Sequence, residues 1–224
     1  MPLQIGMSAP AVPEAPANPY FRLLLPYVAG CDVLDIGSIN HSFARTAAGR
    51  AWMFAFLEAH ARRVTGIDNS AAEVAKARAA GHDILHADAE TYRADRPWDV
   101  VMAGDVIEHL SNPGRFLDCA RANLRPGGRL VISTPNTYAL SELFWVLARL
   151  SNDTPVNAEH TCTFTPTTLR TLCARHGFTP EAMHYVNIPF GPGKRRWIRW
   201  LMAVNGALTA PVPRFRRTMV AVFR

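Results

Sequence analysis

The stretch Asp32-Val33-Leu34-Asp35-Ile36-Gly37 decides the fold: a short apolar run closed by an acid, a branched residue and a glycine. Its pattern recurs. Residues 63–67, 83–86 and 98–103 are also short and rich in Val, Ile or Leu, and Asp68, Asp88 and Asp105 stand just beyond them. Helical-looking segments follow these runs, and strands alternating with helices predict a parallel sheet with crossover helices. Ligands of such sheets bind in the crevice outside the carboxyl ends of the strands. Asp35, Asp68, Asp88 and the run Asp105-Val106-Ile107-Glu108-His109-Leu110 are therefore expected around one cleft. The expected class is α/β, a Rossmann-like doubly wound sheet.

Outward from that core, residues 18–28 predict a helix that Pro26 bends or ends. Residues 46–60 predict one helix, with Trp52, Phe56 and Ala59 on one face. Residues 71–80 predict another, capped by Ser70, carrying Glu73 in its first turn and stopped by Gly81. Pro113 opens a helix to Leu124, and Pro126-Gly127-Gly128 turns the chain into a strand over 129–133. An apolar helix over 138–150 is expected above the mouth of the cleft. A helix over 165–176 follows, capped by Thr165 and closed by Gly177, and then strands over 178–186 and 218–223.

A chain of 224 residues suits one α/β domain, taken here as residues 20–224. With 49% hydrophobic and 19% charged residues, the composition excludes a disordered chain. Cys31, Cys119, Cys162 and Cys173 show no Cys-x-x-Cys spacing, so neither a zinc knuckle nor a disulfide framework is expected, and the cytoplasm is the expected compartment. Residues 1–19 are rich in Pro and Ala and lack the basic end and apolar core of a secretory signal, which suggests a flexible lead-in.

The net charge of +6 is local: Lys194, Arg195, Arg196, Arg199, Arg214, Arg216 and Arg217 fall within residues 188–217, a stretch without an acid. Arg195, Arg196 and Arg199 interleave with Trp197, Ile198, Trp200, Leu201 and Met202. This basic and aromatic insertion fits a lid helix, or an amphipathic helix that rests on the anionic inner membrane face or grips a lipid-linked acceptor. A nucleic-acid patch fits it least well. No apolar run reaches the ~20 residues of a spanning helix, so peripheral contact through 194–217 is the most a membrane role allows.

Several motifs also carry a resemblance. Val33-Leu34-Asp35-Ile36-Gly37 resembles the first motif of class I S-adenosylmethionine-dependent methyltransferases, and Thr65-Gly66-Ile67-Asp68 their second-strand acidic motif. His86-Ala87-Asp88-Ala89-Glu90, Trp98 through Leu110, and Leu124 through Ser133 are similar to the loop after strand three, the fourth strand and the turn into strand five. Glu159-His160 and Phe164 through Phe178 are similar to late elements of a broad subgroup, the one that carries the Asp-Val-Ile-Glu-His-Leu type of motif. The resemblance implies a seven-stranded sheet with an antiparallel last strand, and S-adenosylmethionine as cofactor. It implies that Gly37 and Ser38 let the backbone approach the ligand, and that Asp68, with Asn69 beside it, takes the ribose hydroxyls. Asp88 then meets the adenine amino group and Ala89 offers an amide. Asp35 steadies the loop or reaches the methionine ammonium through water, and Gly104 and Asp105 pass under the methionine part. One departure is plain: Gly37-Ser38-Ile39-Asn40-His41 replaces the family's Gly-x-Gly-x-Gly. Asn40 tolerates a left-handed backbone and Ile39 does not. The distance from Asp35 to Asp68 also exceeds the roughly twenty residues between glycine loop and ribose acid in the related dinucleotide fold, enlarging the loop around 41–49.

Methyl transfer is an in-line displacement that needs alignment above all, and a base only for acceptors such as hydroxyls. Glu108, His109 and His160 are the expected catalytic groups, with His41 also in reach. A metal held by Glu108, His109, Glu159 and His160 is not expected, because neighbours in a chain point differently. The reading is methyl transfer, to oxygen, of a small or lipid- or sugar-linked acceptor. Its rivals are a cofactor-binding or membrane-surface adaptor without catalysis, and an NAD(P)-dependent oxidoreductase, which the missing glycines disfavour.

Overall fold

The computed structural model describes residues 16–49, 52–149, 157–188 and 196–224. Seven strands, β1 (Asp32–Ile36), β2 (Arg63–Asp68), β3 (Ile84–His86), β4 (Trp98–Gly104), β5 (Leu124–Pro135), β6 (Pro180–Val186) and β7 (Thr218–Phe223), form one sheet in the order β3-β2-β1-β4-β5-β7-β6. Pairing is parallel from β3 to β5, and β7 runs antiparallel between β5 and β6. The doubly wound sheet with one antiparallel last strand is thus as the sequence implies. Strand order reverses between β1 and β4, which places the switch point outside Ile36 and Gly104.

The central strands are apolar on both faces, so helices must cover both. On one face α1 (Pro19–Val28) and α3 (Met53–His60) bury Phe21, Leu24, Phe56 and Leu57 against Val33, Val100, Val131 and Val222. On the other, α5 (Pro113–Asn123) and α7 (Pro166–Arg175) bury Phe116, Leu117, Leu169 and Cys173 against Leu34, Val101, Leu130 and Phe223. Three of these helices begin as their sequences require. Asn18 Oδ1 accepts from Tyr20 N at 3.0 Å, Asn112 Oδ1 from Arg115 N at 3.0 Å, and Thr165 and Thr168 form a reciprocal capping box. Each such cap is worth about 1 kcal/mol.

The structure corrects some expectations. Residues 46–60 are not one helix: α2 (Phe43–Ala47) ends at Ala48, and Trp52 is extended (φ −74°, ψ 118°) before α3. The break lets the Trp52 indole N–H donate to Ser38 O at 2.7 Å, which pins the loop after β1. Ser70 precedes α4 (Ala71–Ala79) but its hydroxyl makes no capping bond; the Asp68 carboxylate takes the Ser70 amide instead, at 3.0 Å. The fifth strand starts at Leu124, with an irregular register between Trp98 and Val100 that absorbs the Pro126-Gly127-Gly128 turn. Between β6 and β7 lie α8 (Arg196–Thr209) and a 3-10 turn at Pro213–Phe215, and α8 packs beside α6 (Leu140–Arg149). Residues 1–15 of the lead-in, Lys194 and Arg195 lie outside the described residues.

Candidate active site

A cavity of about 900 Å³ opens at the carboxyl ends of β1, β2 and β4. Its wall includes Gly37, Ser38, Asp68, Asn69, Asp88, Ala89, Gly104, Asp105, Glu108, His109 and His160, so eleven of the twelve expected site residues meet there. Asp35 is the exception. It is 2% exposed beneath the cavity, its Oδ2 has no hydrogen-bond partner, and burial pushes its carboxyl up to about 7. It lies beneath the cavity and does not line it.

The β1 side of the cleft is built largely from backbone. Gly37 has φ +73°, and a Cβ there would overlap Val106 Cγ2, so only glycine fits. The amides of Gly37 and Ser38 both bond to Ile67 O, at 2.9 and 3.2 Å, which folds the loop back over β2. Asp68 Oδ2 accepts from Ile39 N and Oδ1 from Ser70 N, each at 3.0 Å. Burial, opposed by those two amides, raises the Asp68 carboxyl above its usual range. Each carboxylate oxygen keeps a further lone pair. Ile39 packs with Trp52, Phe54 and Val74, so its side chain turns into the core and leaves the groove passable. Beyond Gly37, the left-handed residue of this loop is His41 (φ +54°), not Asn40. At the next turn, Asp88 Oδ1 accepts from Glu90 N at 2.8 Å, which curls the loop carrying Ala89.

The β4 side is built from side chains. Asp105 has φ +53°, a conformation aspartate tolerates better than most residues, and this turns the chain into the 3-10 helix Ile107–His109. Its amide donates to Ser133 O at 3.0 Å, while Ser133 Oγ accepts from the Tyr20 hydroxyl at 2.7 Å and donates to Asp105 Oδ1 at 3.2 Å. Glu108 is 1% exposed; Oε2 accepts from Thr134 Oγ1 at 3.0 Å, and Oε1 has no partner. Burial, with Asp105 nearby, pushes the Glu108 carboxyl up to about 8. His109 and His160 meet edge to face with ring centroids 4.7 Å apart. Partial burial, then His109, lowers the His160 imidazole, which favours its neutral form near neutral pH. Glu159 leaves this group and faces His41 at 3.6 Å.

Sequence reasoning missed Tyr20, Thr134 and Thr161. Thr161 matters most. Its amide donates to Glu108 O at 2.8 Å and its hydroxyl to Leu110 O at 2.6 Å, stitching the His160 loop onto the Glu108 turn. The turn after β4 carries no signal for a threonine some fifty residues away. Tyr20 falls within the helix expected over 18–28, and that pattern places its backbone without saying what its hydroxyl meets.

A family model described as a methyltransferase domain matches residues 12–182. A probable S-adenosylmethionine-dependent methyltransferase of Mycolicibacterium smegmatis is 36% identical over 157 residues, covering 68% of this chain and 54% of that protein. The chain thus spans about half the length of that relative. A mitochondrial ubiquinone biosynthesis O-methyltransferase of Schizosaccharomyces pombe is 30% identical over 131 residues, 53% of this chain and 43% of that protein. The crystal structure of a SAM-dependent methyltransferase from Archaeoglobus fulgidus has the same fold, with TM-score 0.61 and 19% identity over 91% of this chain and 90% of that one. Fold and cleft define the class I, Rossmann-like methyltransferases. This chain belongs to the methyltransferase-domain family, within the class whose cofactor is S-adenosylmethionine, and so not to the nicotinamide oxidoreductases.

Proposed function

We propose that this chain transfers the methyl group of S-adenosylmethionine to a hydroxyl of a small or lipid-linked acceptor. The observation that carries the reading is the division of the cleft. Asp68 stands among backbone amides at one end, where a ribose fits, and Glu108, His109 and His160 stand at the other. On this reading Asp68 takes the ribose hydroxyls, Asn69, Asp88 and Ala89 border the adenine, and Gly37, Ser38, Gly104 and Asp105 flank the methionine part. Asp35 supports that floor from beneath. Neutral His160 takes the acceptor's proton while His109 and Glu108 orient it. The nucleophilic oxygen forms its bond to the methyl carbon as the carbon–sulfur bond breaks, leaving both electrons on sulfur.

A second cavity of about 250 Å³ shares Asp105, Pro135 and Ile188 with the first and reaches Glu142 on α6 and Arg217. α6 also exposes Leu143 and Leu147, and α8, which packs beside it, exposes Trp200, Leu201 and Leu208. Exposed apolar groups on α6 and on α8, the latter within an acid-free, basic insertion, favour a lipid-linked acceptor met at an anionic membrane surface. No helix among the described residues is long and apolar enough to cross a membrane.

Calorimetry with S-adenosylhomocysteine and with NAD tests the first part: the former is expected to bind and the latter not. Co-sedimentation with vesicles containing anionic lipid tests the second. Binding that needs the anionic lipid and falls in Trp200→Ser supports the surface reading, and equal sedimentation with neutral vesicles or none would remove it.

A further inference from the structure

Among the described residues, Glu108, His109 and His160 are a trio whose ligand atoms all lie within 4.8 Å of one another. One of the Glu108 oxygens is the anomaly. A carboxyl group buried to 1% exposure leaves its Oε1 unpartnered, and a buried polar atom without a partner is costly unless something compensates it. The sequence reading set a metal aside because neighbours in a chain diverge. Here Glu108 and His109 sit in a tight 3-10 turn, and Thr161 holds the His160 loop against that turn. The divergence is thereby removed for Glu108, His109 and His160, while Glu159 is drawn off toward His41.

We propose that Glu108, His109 and His160 form a two-histidine, one-carboxylate site for a divalent transition metal ion that binds the acceptor's hydroxyl. Two imidazoles and a carboxylate suit Zn²⁺ or its first-row neighbours, whereas Mg²⁺ and Ca²⁺ favour oxygen ligands. Three protein ligands leave a position open, the arrangement of catalytic rather than structural zinc. Ligand atoms of a tetrahedral ion with bonds of about 2.1 Å lie about 3.4 Å apart, so the trio closes on an ion by small rotations of the two half-exposed rings. The ion lowers the pKa of a bound hydroxyl, which releases its proton to solvent; the oxygen lone pair then forms the bond to methyl, and the sulfur keeps the electrons of the broken bond. The inference rests on the hydroxyl-acceptor reading and replaces proton uptake by His160 with coordination.

The test uses the tag-free full-length chain, stripped of metal and titrated calorimetrically with Zn²⁺, with S-adenosylhomocysteine binding measured on the same samples. One Zn²⁺ per chain is expected, with affinity at least about tenfold weaker in His160→Ala and in Glu108→Gln. His160 lies on a half-exposed loop, so its variant keeps the test sound should the buried Glu108 variant misfold. No binding to wild type, or equal affinity in wild type and His160→Ala, overturns the site. In that event retained S-adenosylhomocysteine binding leaves the methyltransferase reading intact with His160 as base. Zinc bound through the trio without nucleoside binding would uphold the metal site and reject the methyltransferase reading.

Discussion

The two ends of the cleft are made by different means. Around β1 and β2 the wall is mainly main chain, fixed by amides of Gly37, Ser38, Ile39 and Ser70, with Asp68 as the central side chain. Around β4 and β5 it is made of side chains, Tyr20, Asp105, Glu108, His109 and His160, drawn from segments far apart in the chain, with buried Ser133 bracing two of them. A main-chain wall tolerates many sequences provided glycine and the acid stay in place. A side-chain wall changes with each residue, which on the proposed reading suits the end that meets the acceptor.

Breaking the comparison starts with the floor beneath the main-chain end. The folded Asp35 carboxyl titrates at about 7, above its unfolded value of 3.8, so the native state favours the protonated form. Its contribution to stability is present in full below about pH 4 and is lost as pH rises toward 7. At about 1.4 kcal/mol per pKa unit, the loss is up to about 4 kcal/mol. Urea unfolding from pH 4 to 8 should show this decline in wild type relative to Asp35→Asn; parallel curves would refute it. Next, Gly37→Ala combines a forced left-handed backbone with an overlap on Val106, and should destabilise by about 3 kcal/mol. A variant as stable as wild type would mean the loop path is wrong.

The comparison sharpens at Asp68 and Tyr20. Asp68→Ala should weaken S-adenosylhomocysteine binding by about 1–3 kcal/mol, the cost of unpaired buried groups, measurable by calorimetry on folded protein. On the side-chain wall, Tyr20→Phe removes only the 2.7 Å bond to Ser133, so about 1 kcal/mol of stability is expected to go, with cofactor affinity nearly unchanged. A larger effect on cofactor binding at Tyr20 than at Asp68 would reverse the assignment of the two ends.

The same division explains what the sequence revealed. Strands β1, β2, β4 and β7 are apolar runs, and the acids at the ends of β1, β2 and β4 are local signals, so the sheet and the acidic side of the cleft were both legible. The break at Trp52 was not, because Phe54, Phe56 and Leu57 continue a helical pattern while the indole is recruited by Ser38 O. Nor was the absence of Asp35 from the lining, since one acid at a strand end reads like the next. The pairing of Glu108 with His160 depends on Thr161 across some fifty residues, and that long-range bond leaves no trace in residue spacing.

The place of β7 has a consequence for how the polypeptide is made. Residues 218–223 lie between two strands that both precede them in the chain, and every one is buried. Until the ribosome delivers them, β5 and β6 have no bridge, and their unpaired edges are open to wrong partners. The intervening residues 187–217 delay that bridge by about two to six seconds at roughly 5–20 residues per second. During this interval the edges of β5 and β6 stay exposed on an incomplete sheet, so the late strand sets when the fold is protected from mispairing.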